Sequence, residues 1–132
     1  MIRKASFAVA ASLLSLVSPA QAQLLSPPLW TDQDAAGTCY VRNIGTTPFT
    51  VRVQFFSNNP IGFIDVDTCN TGPLGAGKTC VIFLLNLPAD SWAACSAQAS
   101  NSNVSKLRGS IDIRHFVSKT EGYKVVVRED LR

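Results

Sequence analysis

Phe49-Thr50-Val51-Arg52-Val53-Gln54-Phe55-Phe56 is the stretch that decides the fold class. Phe49, Val51, Val53 and Phe55 fall on one side, and Thr50, Arg52, Gln54 and Phe56 on the other. Successive side chains of a strand point to opposite faces. A period of two with charge on one side only therefore marks an antiparallel strand with one buried and one wetted face. Working outward, short runs of β-branched and aromatic residues recur, separated by Gly, Pro, Asn and Asp at spacings of about 8 to 15 residues. Cys39 to Ile44 reads as a strand, and Asn43-Ile44-Gly45-Thr46-Thr47-Pro48 turns the chain.

Downstream, Gly62 to Val66 reads as a weaker strand. Thr79 to Leu87 is apolar nearly throughout, so it is a central strand covered on both faces or a short buried helix; Val81, Ile82 and Phe83 favour the strand. Trp92 to Ala99 carries alanines that suit a helix, and only its length and neighbours argue for a strand. Leu107 to Phe116 sets Ile111 and Ile113 against Asp112 and Arg114. Tyr123 to Arg128 sets Tyr123, Val125 and Val127 against Lys124, Val126 and Arg128, and Gly122 allows a hairpin between the two. No long helical period and no internal repeat is present. The expected class is all-β.

The ends set the compartment. Arg3 and Lys4, the apolar run Phe7 to Val17 and Ala20-Gln21-Ala22 form the three parts of an export signal, residues 1–22. The run is shorter than the about 20 residues needed to span hydrocarbon, so no membrane span is expected after cleavage. Residues 23–37, with Pro27 and Pro28, read as an extended leader with at most one short edge strand, and residues 38–132 as one domain. Cleavage removes Arg3 and Lys4 and leaves ten basic against nine acidic residues, net +1. That balance offers no broad electrostatic case for nucleic acid.

Four cysteines in an exported chain of this size imply disulfides, in a periplasmic or secreted protein. A redox role would favour a C-x-x-C pair, which is absent, and a Cys₄ zinc site usually needs close pairs, whereas these cysteines are 30, 11 and 15 residues apart.

Gly72-Pro73-Leu74-Gly75-Ala76-Gly77-Lys78-Thr79 satisfies the phosphate-loop pattern, whose glycines let backbone N–H groups wrap phosphates while the lysine meets the outer ones. The motif needs a helix after it. Here Cys80-Val81-Ile82-Phe83-Leu84-Leu85 follows and reads as a strand, and Pro73 removes one donor. The expectation is a tight glycine turn, with no nucleotide and no cofactor.

Asn43-x-Gly45-x-x-Pro48-Phe49 before the alternating strand, then Cys69-x₄-Leu74-x-x-Gly77-x-x-Cys80 and an apolar strand ending at Pro88, resemble Ig-like sandwich modules of bacterial surface proteins. These modules are related to major sperm protein and the periplasmic pilus chaperones. Leu107-Arg108-Gly109 fits loosely, and the resemblance covers about Cys39 to Arg114. It implies a single antiparallel sandwich of about seven strands, as in small exported bacterial proteins of this pattern. The two-domain chaperones grip a subunit through a basic pair that has no match here, so their role does not carry over.

In Ig order Cys39 lies on the second strand and Cys95 on the sixth, which face each other across the sandwich, and Cys69 with Cys80 staples a loop. Loop closure is worth about 4 kcal/mol for the long link and about 3 for the short one. The alternative, Cys39–Cys69 with Cys80–Cys95, is similar in energy, so topology makes the choice.

His115, the only histidine, reads as an exposed residue at the end of a strand, with no Gly-x-Ser-x-Gly elbow to present a nucleophile. Asp65 and Asp67 flank Val66 and share a strand face that could attract Ca²⁺, although an exposed face explains them more simply. Residues 106–132 hold seven Lys or Arg against four acids, a face for an acidic partner or a solvated edge. Trp30 and Trp92 are the contact candidates; Trp92 is expected in the core and Trp30 exposed.

The favoured function is therefore non-enzymatic: binding or assembly in the cell envelope, with a protein partner there or in the medium, a second copy of the chain included, and no catalytic, cofactor or metal residues. A small secreted enzyme inhibitor or hydrolase would need His115 to meet a carboxylate in a pocket. A pilus-like subunit would use residues 24–30 as a strand pairing with a neighbour.

Overall fold

A computed structural model describes residues 22–58 and 63–132; apart from Ala22, the expected export signal lies outside them, as does Gly62. The described residues form nine strands and one helical turn: β1 Ala22–Leu25, β2 Leu29–Thr31, β3 Ala35–Asn43, β4 Arg52–Ser57, β5 Phe63–Asp67, β6 Thr79–Leu87, β7 Ser91–Ala99, α1 Asn101–Val104, β8 Leu107–Ser118 and β9 Gly122–Asp130. All their pairings are antiparallel, in two sheets packed as a disulfide-stapled sandwich. The larger sheet has the order β5-β6-β3-β8-β9. In the smaller one β7 is central, with β4 along one side and β1 then β2 along the other.

The deciding stretch alternates as read. Phe49, Val51 and Val53 are buried and Phe55 packs against the core, while Thr50, Arg52, Gln54 and Phe56 are exposed. Thr79 to Leu87 and Trp92 to Ala99 are both strands, so the alanines of β7 serve a tightly packed strand rather than a helix. Ala93, Ala97 and Ala99 are buried because β7 has strands on both edges and the larger sheet beneath it. The β8–β9 hairpin turns at Gly122, which takes the left-handed conformation (φ 69°) that glycine adopts without strain.

Three expectations need correcting. Residues 23–37 are not a leader outside the domain: they supply β1, β2 and the start of β3. Ser26 keeps the edge continuous across Pro27-Pro28, its N–H bonding the Cys95 carbonyl and its hydroxyl accepting the Cys95 N–H, each at 2.9 Å. Residues 24–30, read as a strand for a neighbouring molecule, thus pair with β7 of their own chain. The regular alternation of Tyr123 to Arg128 is also broken. A bulge between Ile113 and Arg114 sets Val127 opposite Ile113 on the core side and Arg128 opposite Asp112 on the outer side.

Strands β3 to β7 occupy the places of the second to sixth Ig strands, and Cys39 in β3 links to Cys95 in β7 between the sheets, Cα atoms 6.1 Å apart. Cys69 and Cys80 form the second disulfide. The terminal strands exchange sheets. In the Ig arrangement the first strand lies beside the second and the last beside the sixth. Here β1 and β2 lie beside β7, and β8 beside β3.

The chain end then closes one side of the sandwich. Leu131 is buried and its N–H bonds the Gly109 carbonyl of the larger sheet, while Arg132 and Leu25 exchange both backbone hydrogen bonds at 2.8 and 2.9 Å. Gly109 is required here, since a Cβ would lie 2.9 Å from both the Tyr40 carbonyl oxygen and Leu131.

The phosphate-loop look-alike is a structural turn. Three of its N–H groups are used internally: Leu74 to Phe49 O, Gly77 to Asn43 O and Lys78 to Gly75 O. Buried Asn43 organises it, its amide nitrogen donating to Leu74 O and Thr47 O and its side-chain oxygen accepting the Gly45 N–H. β6, a strand, follows directly.

The loop after β5 guards a sheet edge. The Asn70 side chain accepts the Val53 N–H at 3.1 Å and donates to the Val53 carbonyl at 3.0 Å, occupying β4 on the side away from β7 as a neighbouring strand would. Asp67 holds Asn70 in place. Burial pushes the Asp67 carboxyl up, but the Asn70 side chain and the Asn70 and Cys69 N–H groups together hold it below the ordinary 3.8. A lowered folded-state pKa contributes stability above the unfolded value and loses it as pH falls through the folded one. The stability difference between wild type and Asp67→Asn is accordingly expected at neutral pH and should shrink below about pH 3.8. Urea unfolding at about pH 7 and about pH 2.5 checks this; a difference that stays constant with pH would remove the linkage.

Candidate binding face

The outer face of the smaller sheet follows from the pleat of β7. Ser91, Ala93, Cys95, Ala97 and Ala99 point to the core, so Trp92, Ala94, Ser96 and Gln98 point out. Pairing sets Trp30 of β2 directly opposite Trp92, and Phe56 of β4 opposite Ala94. The small Ala94 leaves a hollow of about 340 Å³ among Pro28, Trp30, Phe56, Trp92 and Ala94, almost wholly apolar. Trp30 is 65% exposed. Trp92, expected in the core, is instead half-buried on this outer face, and its N–H is held by Asn58 Oδ1 at 2.7 Å.

Pro28 and Trp30 also form one wall of a second hollow, about 450 Å³, on the open side of the sandwich. Leu29, Thr31, Asp32, Asp90, Ile113, His115, Val126 and Val127 complete it. His115 is half-buried within β8 rather than exposed at a strand end. Its Nε2 lies 3.2 Å from Thr31 Oγ1, and its Nδ1 contacts the Gln33 amide nitrogen. Both ring nitrogens are thereby engaged by neutral groups that tie β8 to the β2–β3 connection.

The other candidates are not brought together. A bulge at Asp65 separates it from Asp67: Ile64 pairs with Leu84 and Val66 with Phe83, so Asp67 lies opposite Ile82 and turns to Asn70. Among the described residues no group of three or more His, Cys, Asp or Glu could hold a metal ion. Much of the basic character of residues 106–132 is spent internally. Arg114 and Arg128 both bond fully buried Asp112, and Arg108 donates to the carbonyls of Ser105 and Leu107. The Asp112 hydrogen bond raises the Arg114 pKa further, against desolvation, with the Asp112 and Tyr40 charges adding to the rise.

The larger sheet carries its own apolar outer surface, where Tyr123 meets Phe83 and Phe116 edge-on at 6.3 and 5.5 Å, with Phe63, Val66 and Val125 exposed. Nothing in the sequence pattern joined Trp30 to Trp92; the only signal was their side-chain type. Compared with known protein families, curated proteins and solved structures, the chain matches none of them.

Proposed function

We propose that this chain is an exported, non-enzymatic binding protein of the cell envelope that engages a protein partner through the aromatic face of its smaller sheet. The observation that carries this reading is the Trp30–Trp92 pair, rimmed by Phe56 and Pro28, on a face that the described residues leave uncovered. Exposed aromatic clusters on otherwise polar surfaces anchor interfaces, because large rigid rings bury much area at little entropic cost. The disulfides fit an oxidising, extracytoplasmic compartment. The engagement of both His115 nitrogens by Thr31 and Gln33 supports a structural rather than catalytic histidine.

The test is crosslinking of the oxidised protein in the envelope and medium of its own host, with wild type and Trp30→Ala side by side. Trp30→Ala should keep the thermal midpoint, since the ring is mostly exposed, yet lose its crosslinked partner by about 10-fold or more in yield. A set of partners identical for the two proteins would sink the reading.

A further inference from the structure

We propose that the groove between β2 and β9 takes an extended peptide that carries an aromatic or proline residue for the Trp30 hollow and, beside it, a lysine or arginine. The inference rests on the reading that the Trp30 face binds protein, and it names the chemistry of what is bound. Three observations converge on it.

The first is continuity. Pro28 and Trp30 line both hollows, so one ligand can lie across the Trp30 ring and reach from the apolar dish into the groove. The second is charge. The groove wall carries two exposed carboxylates, Asp32 and Asp90, and among the described residues neither lysine nor arginine lines it. Its one titratable base, His115, is already bonded to Thr31 and Gln33. Lys124 faces His115 across the β8–β9 ladder but does not line the groove. A cation entering beside Trp30 thus meets two carboxylates, and charge complementarity selects between partners.

The third is the binding mode that the chain already shows. β1 and β2 make one continuous edge of the smaller sheet. Its β1 half is covered by the chain's own Leu131–Arg132, with Arg132 pairing to Leu25 as a strand would. Among the described residues nothing covers the β2 half in that way, and the groove opens there. An extended segment is the shape that continues the closure, with backbone along the edge and side chains alternating between the dish and the groove.

The test uses fluorescein-labelled ten-residue peptide pools with a fixed Pro-Phe pair flanked by Lys, Ser or Glu, followed by fluorescence polarisation against the oxidised protein. The Lys pool should bind most tightly, the Ser pool less and the Glu pool least, with the Lys preference weakening as salt rises. Asp32→Asn combined with Asp90→Asn should cut the Lys-over-Glu preference at least about fivefold without changing the thermal midpoint. Asparagine tolerates the left-handed backbone of Asp90 (φ 58°), so the variant is not expected to misfold.

Equal binding of the Lys and Glu pools, or a preference that survives in the double variant, overturns the inference. If no pool binds while the crosslinked partner still depends on Trp30, the peptide chemistry is wrong and the binding face stands. If neither binds nor depends on Trp30, both fall.

Discussion

Replacing Cys39 and Cys95 together by alanine is expected to lower the unfolding free energy by about 4 kcal/mol, against about 3 for Cys69 and Cys80. The difference follows from loop length. The first disulfide closes 56 residues and the second 11, and the unfolded-chain entropy removed grows with the logarithm of that length. Burial does not widen the gap, because Cys69 and Cys80 are buried as Cys39 and Cys95 are, and deleting the sulfurs leaves a void in either case. For a domain of this size the long-link variant should melt roughly 15 °C lower or more. Urea and thermal unfolding of the two oxidised double variants measure this. A larger loss on removing the 69–80 link would mean that the loop, not the bond between the sheets, limits stability.

Asp112→Ala is the second large effect, expected at about 2–3 kcal/mol. The Asp112 side chain is fully buried, and it accepts from Arg114 Nε at 3.0 Å and from an Arg128 terminal nitrogen at 2.9 Å. Removing one partner of a buried ion pair costs about 3–5 kcal/mol, because the remaining charge is stranded. The two arginines are 28% and 55% exposed, so water takes over part of their solvation and the loss falls below that range. Both guanidinium groups also sit over the Tyr40 ring, at 5.9 and 6.0 Å, and lose their orientation without the carboxylate. Urea unfolding in low salt and at about 1 M salt separates the causes, since a buried pair is screened far less than a surface one. A loss under about 0.5 kcal/mol, or one that disappears in salt, would reduce Asp112 to a surface charge.

The two effects differ in how far they could be anticipated. The Cys39–Cys95 pairing follows from Ig strand order, because β3 and β7 hold the second and sixth places whatever the terminal strands do. The burial of Asp112 was not legible. In Leu107 to Phe116 it alternates against Ile111 and Ile113 as a wetted position should. It lies on the outer face, but the bulge in β9 brings Arg128 opposite it, and Arg114 and Tyr40 complete the cover.

The same limit applies to the candidate site. Trp30 was legible as an exposed aromatic in a polar setting, whereas Trp92 sits in a strand of Ala and Ser, too evenly small to show which face is buried. Only the pairing of β2 with β7 makes the two rings one surface.

By itself, the sequence determined the all-β class, the alternating face of Phe49 to Phe56, the turn at Gly72 to Thr79 and the presence of disulfides, though not their pairing. Each of these depends on the two-residue period of a strand, on glycine's conformational freedom or on cysteine count, which are local properties. Tertiary structure alone decided that β1 and β2 join β7, that Leu131–Arg132 close one half of that edge, and that Trp30 is set opposite Trp92 while lining a groove with Asp32 and Asp90. Those outcomes depend on register and on which sheet takes the chain ends. Short edge strands with few large apolar side chains leave both undetermined until the rest of the sandwich is in place.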